Sequence, residues 1–240
     1  MSDEPASTGP AQNPRPGPLP AAPSGVPPSE LRGRTDLATI LATEHWSLLG
    51  TRSMTWGEIM SRITIHLTVS SALLVVLALI GQLTGFGMVF RGLSIGFATA
   101  VLIMGTLTEV RVLLASSEDR QLILAMNRLR RAYVDLAPEV APYLTASTHD
   151  DGPGLMATYT LGTPRRVLTH VVGSTAFFVT VVNTLVATAL GALIASALGA
   201  PAAAVVAAGA GLGLVWLVGQ IAAGRSTGQI PGDVRFPTPS

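Results

Sequence analysis

The chain has 240 residues, 48% of them hydrophobic and only 12% charged, with a mean hydropathy of +0.50, which excludes an ordinary soluble domain and points to lipid. Cysteine is absent, so disulfides, thiolate metal sites and cysteine nucleophiles are excluded. The net charge of +1 rests on fifteen arginines and no lysine, and argues for no nucleic-acid partner.

Residues 1–28 hold nine of the 17 prolines among Ala, Ser and Gly. Such a segment buries too little apolar surface to offset the entropy of ordering it, so residues 1–34 are expected to form a disordered tail. Spacings such as Pro20-Ala21-Ala22-Pro23 suit polyproline II and an SH3-like partner, but a solvated tether is the simpler expectation. The start lacks the basic stretch and apolar core of a secretory signal, so the first apolar helix is expected to stay as an anchor. From Thr35 a helical pattern sets in, with Leu37, Ile40, Leu41, Leu48 and Leu49 on one side and Thr35 or Asp36 as N-cap. Gly50 is expected to end this helix, and the capping box Thr55-Trp56-Gly57-Glu58 to open another. The amphipathic segment 35–62 then packs within the protein or lies on the membrane surface.

Two apolar runs follow, 63–82 and 87–108, each near the roughly 20 residues that cross a bilayer. No Gly or Pro separates the second from Glu109, so its helix should leave the membrane and run to Leu136, where Ala137-Pro138 stops it. Within this stem Leu122, Met126, Leu129, Tyr133 and Leu136 form an apolar seam. The other face carries Glu118, Asp119, Arg120, Arg128, Arg130 and Arg131, expected to be solvated; Glu118, Arg120, Arg128, Arg130 and Arg131 are the candidates for docking a partner. Residues 142–164, including His149-Asp150-Asp151-Gly152-Pro153-Gly154, carry the residues of turns.

Residues 171–223 form 53 positions without a charge, broken by Leu198-Gly199-Ala200-Pro201 into spans 171–198 and 202–223. Residues 224–240 are expected to be a second disordered tail. The fold class is therefore all-α: a polytopic membrane protein of four transmembrane helices with a helical stem between the second and third. Fourteen of the fifteen arginines flank the spans on one side and only Arg91 lies on the other. Basic residues stay in the cytoplasm, so both termini and the stem are expected there, with Trp56 and Trp216 as interfacial anchors.

Chemistry is sparse. His149-Asp150-Asp151 resembles a metal cluster, but one consecutive triplet lacks ligands converging from separate elements, and no metal is expected. His45 beside Glu44, and His66 near Ser70 and Ser71, suit a proton relay, although hydrogen-bonded histidines without such a role are the plainer expectation. No Asp, Glu or Arg sits mid-span, the nearest being Glu109 and Arg91 at the two ends of the second, which weakens coupled transport. Asn183 lies deep in the third span, where an interhelical hydrogen bond outweighs a pore-lining role. Small residues recur every four positions: Ala187, Gly191, Ala195 and Gly199; Gly92, Gly96 and Ala100; Ala207 with Gly211, or Gly209 with Gly213. They are expected to let helices pack closely, within one subunit or between copies. Nucleotide, dinucleotide, Ser-His-Asp, zinc and kinase signatures are missing, so neither enzyme nor cofactor is expected.

The segment Glu44 to Glu58, with Met126 to Tyr133 and Leu136-Ala137-Pro138-Glu139, resembles small integral membrane proteins of actinobacteria that carry no assigned activity. That resemblance implies a bacterial inner-membrane location. A likeness of plan to the two-span effector domains of bacterial conflict systems is analogy. Two functions suit the sequence: a membrane anchor presenting its stem to a protein partner or to a second copy, or an oligomeric passive pore that perturbs the membrane. Partners are lipid and protein, not nucleic acid.

Reporters active only in the cytoplasm should work at either terminus, and one inserted at Gly85 or Ala200 should report the outer side. An outer-side signal from either terminus would reverse the topology.

Overall fold

The computed structural model describes residues 27–161, 173–227 and 233–239. The described residues form five α-helices, α1 (Pro28–Thr84), α2 (Met88–Leu136), α3 (Gly152–Thr160), α4 (Thr175–Ala197) and α5 (Ala202–Thr227), with a short 3-10 helix at Pro138–Tyr143. There is no strand among the described residues. Four of the helices, α1, α2, α4 and α5, are long and apolar enough to cross a membrane.

α1 runs for 57 residues without a break, about 85 Å at the rise of an α-helix. It begins with Pro28 in its first turn, where a missing N–H costs nothing. The expected tail therefore ends by Pro27, and its first 26 residues lie outside those described. The stop expected at Gly50 and the new start at Thr55 do not occur. A glycine inside a helix costs only about 1 kcal/mol, and Gly50 and Gly57 meet nothing that would force a turn. Thr35, Thr39, Thr43 and Thr51 donate their hydroxyls to carbonyls four residues back, joining the helix instead of capping it. α1 ends at Gly85, whose φ of 69° is a left-handed conformation that costs glycine little.

α2 continues past Glu109 to Leu136, where the Ala137 N–H closes on the Tyr133 carbonyl ahead of Pro138. It occupies the centre, with α1 and α4 packed against it and α5 against α4. The segment 142–164, expected to be turns, instead holds the last two residues of the 3-10 helix and α3, whose first turn is capped by Asp151 accepting from the Gly154 N–H at 2.8 Å. Residues 162–172, with the start of the third span, lie outside the described ones.

Along the spans the large apolar side chains Leu74, Leu79, Leu107, Leu185, Leu214 and Val215 are exposed, a surface suited to acyl chains. Outside them, α1 and α2 run on side by side with α3 to form a lobe whose apolar core is Ile123, Leu124, Met126 and Leu155, covered by Leu48 and Tyr159. The expected seam is thus displaced. Leu122 and Leu129 are only half-buried, while Ala115, Asp119, Ile123 and Asn127 make the buried stripe at intervals of four. Two polar members hide that stripe from an apolar pattern.

The small residues divide. A Cβ on Gly191 would stand 2.8 Å from the Ala208 carbonyl, one on Gly209 would stand 2.9 Å from the Thr188 carbonyl, and one on Gly213 would collide with the Thr188 hydroxyl. Those glycines, with buried Ala187 and Ala195, bring α4 and α5 together inside one subunit. Gly92 and Gly96 pack against nothing within the subunit, since they lie on an exposed side of α2 with nothing within 4 Å, which leaves the expected contact between copies open. Gly199 serves the turn after α4, at φ 77°, rather than a helix contact.

Gly191→Leu should lower the melting temperature in detergent, overpacking costing about 1–3 kcal/mol. Gly92→Ala should raise it slightly, since alanine is favoured in an open helical position by about 0.5–1 kcal/mol. Equal shifts would contradict this division.

Candidate functional site

Three polar nodes sit along α2, each pinned by a different neighbour. The first is Glu109, beside the end of the second span and only 1% exposed. Its Oε1 accepts from the Thr180 hydroxyl and its Oε2 from Asn183 Nδ2, both at 2.6 Å, so one turn of α4 satisfies both oxygens. A carboxylate so buried is tolerable only with such donors. Asn183 thus makes the interhelical bond expected of it. One turn back on α2, Gly105 leaves room that a side chain would fill: a Cβ there would collide with Asn183 Oδ1 and stand 3.2 Å from His66 Cε1. Neither ring nitrogen of buried His66, nor Asn183 Oδ1, has a hydrogen-bond partner among the described residues. The Ser70 and Ser71 hydroxyls donate to the carbonyls of His66 and Leu67, so the relay considered for His66 is not formed.

Asp119 is the second node. Expected from the sequence to be solvated, it is buried: Arg52 Nε at 2.6 Å and Trp56 Nε1 at 2.8 Å donate to Oδ1, and the Tyr159 hydroxyl at 2.7 Å donates to Oδ2. Donors from α1 and α3 therefore converge on one carboxylate of α2. Burial pushes its pKa up, but the bonds from Arg52, Tyr159 and Trp56 prevail and hold it below the usual carboxylate range. Burial and the bond to Asp119 raise the Tyr159 phenol in turn. Trp56 is an internal donor, and Trp216 packs beside the Leu102, Ala187 and Leu190 core.

The third node joins Asn127, Arg128 and the loop before α3. Asn127, fully buried, donates from Nδ2 to the His149 and Gly154 carbonyls and accepts at Oδ1 from Arg130 Nη1 and the Thr158 hydroxyl. Arg128 Nε donates to Asp150 Oδ2 at 2.6 Å. The Asp150 carboxylate, 1% exposed, also accepts the backbone N–H groups of Arg235 at 3.0 Å and Phe236 at 2.7 Å. Asp151 accepts from the Thr238 N–H at 2.6 Å and hydroxyl at 2.9 Å. The second tail is therefore ordered over 233–239, while 228–232 and 240 lie outside the described residues. Desolvation raises the Asp150 carboxyl, but Arg128 and the two backbone N–H groups outweigh it and hold the group below its ordinary value.

Among the docking candidates, Glu118 pairs with Arg111, which also binds Glu58; Arg128 pairs with Asp150; Arg130 binds Asn127; and Arg131 pairs with Asp135 at 3.1 Å. Arg120 is half-buried on the same helix. At the outer end of the lobe, the His45 ring stacks on Tyr133 at 5.8 Å and the Tyr133 hydroxyl donates to the Leu41 carbonyl. Sequence reasoning missed Arg52, Asn127 and Tyr159; the spacing of Asp119 and Asn127 from Ala115 and Ile123 was the available signal.

Asp119→Ala leaves Arg52, Trp56 and Tyr159 without their acceptor and should destabilise the lobe by about 3 kcal/mol, whereas Glu118→Ala should change it by less than about 0.5 kcal/mol. Protease resistance of the 109–161 region compares them. The lowered carboxylates contribute stability that is present above their unfolded pKa and lost as pH falls below about 4. The raised Tyr159 contributes stability present below its unfolded pKa and lost as pH climbs above about 10. Tyr159→Phe should weaken that alkaline limb of melting and, by removing one of the donors that lower Asp119, also reduce the stability lost on the acid limb; an unchanged alkaline limb would place Tyr159 outside the network.

No family model, curated protein or solved structure matches this chain.

Proposed function

We propose that the protein is a non-enzymatic anchor of the bacterial cytoplasmic membrane that presents its lobe to a protein partner or to a second copy of itself. The observation that carries this reading is the Asp119 node, which binds α1, α2 and α3 into one body continuous with two membrane-crossing helices. A carboxylate held by three donors from two other elements suits a rigid platform. The arginine distribution supports a lobe and termini on the cytoplasmic side, and the resemblance to small actinobacterial membrane proteins supports that membrane.

Because Glu118, Arg128, Arg130 and Arg131 are engaged within the chain, the contact surface falls to the uncovered apolar side chains of α1. Ile40, Trp46 and Met54 are 65%, 73% and 76% exposed outside the predicted spans. Aromatic and methionine side chains of this kind are over-represented at protein interfaces. The alternative, an oligomeric passive pore, retains the exposed Gly92, Gly96 and Ala100 face of α2 and the exposed Ala207 and Gly211 of α5. Gly191, Gly209 and Gly213 are already used within the subunit.

Affinity purification from native membranes should recover a stoichiometric protein, or a second copy of the chain, with the parent and not with a Trp46→Ser, Met54→Ser variant of equal melting temperature. A parent that retains no other protein, self-associates equally in the Trp46→Ser, Met54→Ser variant and conducts ions in proteoliposomes would replace the anchor with the pore.

A further inference from the structure

The contacts of residues 233–239 have the character of a bound ligand rather than of a core element. Asp150 accepts the Arg235 and Phe236 N–H groups and returns its own N–H to the Phe236 carbonyl at 3.2 Å. Arg128 donates to the Asp233 carbonyl, Asp151 takes the Thr238 N–H and hydroxyl, and the Arg131 guanidinium lies 5.9 Å from the centre of the Phe236 ring. Recognition is thus mostly of the main chain, with Phe236 and Thr238 as the side chains that are read. Of the segment's side chains only Phe236 is even half-buried, and none joins a hydrophobic core.

The receiving side is built differently. Asp150 is held by Arg128, Asn127 holds the carbonyls on either side of the loop, and Asp151 is already fixed as the cap of α3. A preformed site that gives up little freedom on binding favours association, while an occupant held by hydrogen bonds without apolar burial is held modestly. The occupant also matters to its surroundings, since Asp233 walls a cavity of about 570 Å³ between α1 and α2 that Thr51, Thr55, Glu118, Gln121 and Arg128 help to line.

We infer that Arg128, Asp150 and Asp151 form a peptide-docking site whose occupant is the chain's own segment 233–239, and that this segment docks and leaves as a tethered ligand. Its departure opens the cavity beside Arg128 and frees the site for a peptide of the same kind: backbone N–H groups spaced to meet two carboxylates, an aromatic side chain for Arg131, and a hydroxyl two residues later. This goes beyond the anchoring reading and does not depend on it.

The full chain has no cysteine, so nitroxide labels at Val234→Cys and Met156→Cys report one distance cleanly. The docked distance should dominate in the purified protein, and an excess of a synthetic peptide spanning 233–240 should convert it to longer ones. The same peptide carrying Thr238→Glu, which sets a carboxylate against Asp151, should compete about tenfold less well, a difference of about 1.4 kcal/mol. In the full chain Thr238→Glu should itself shift the labels toward the long distances at unchanged melting temperature. A docked distance that persists both under excess peptide and in the Thr238→Glu chain would make the segment a fixed part of the fold and overturn the inference. Short distances between singly labelled chains would show that the occupant belongs to a second copy, and would overturn its assignment to the same chain.

Discussion

A carboxylate or amide removed from water must find donors or acceptors wherever the fold puts it, and this constraint organises the molecule. α2 carries Glu109, Asp119 and Asn127 into buried positions, and each is satisfied by a different part of the chain: α4, then α1 with α3, then the loop at 147–154 with Thr158. The apolar contacts tolerate some sliding, but the polar ones do not, because an unmet buried charge costs several kcal/mol. The rotation and height of α1, α3 and α4 about α2 follow from three side chains on one rod.

Two adhesives hold the membrane-crossing helices together. Lipid tails remove the usual hydrophobic drive between helices, leaving hydrogen bonds and close packing. The α2–α4 contact uses the first, through Glu109, and the α4–α5 contact uses the second, through Gly191, Gly209 and Gly213. Gly105 combines them, its bare Cα admitting both Asn183 and His66.

What the sequence made legible was governed by short-range physics. Each of the four apolar runs has most of its length in one of the long helices, the third from Thr175 on, Ala137-Pro138 ends α2, Gly199 makes its turn, and Asn183 bonds across helices. The misreadings arise where distant residues decide. Gly50 and Thr55 carry local stop and start signals, and a continuous flank along α2 overrides a penalty of about 1 kcal/mol. Asp119 looked solvated because its partners Arg52 and Tyr159 are 67 and 40 residues away. The C-terminal segment looked unstructured because its order comes from a loop 85 residues earlier and from nothing in its own composition.

An unbroken helix fixes phase as well as length. Between Glu109 and Asp119 α2 has no hinge, so the angle between the membrane part and the lobe is counted out at about 100° per residue. One residue inserted there would swing every lobe contact a quarter-turn or more away from the α4 contacts, and the two carboxylates could not both keep their donors. Only additions close to whole turns preserve both. Evolution can lengthen such a helix in steps, as one lengthens a screw, and the distance of the lobe from the α2–α4 contact is quantised accordingly.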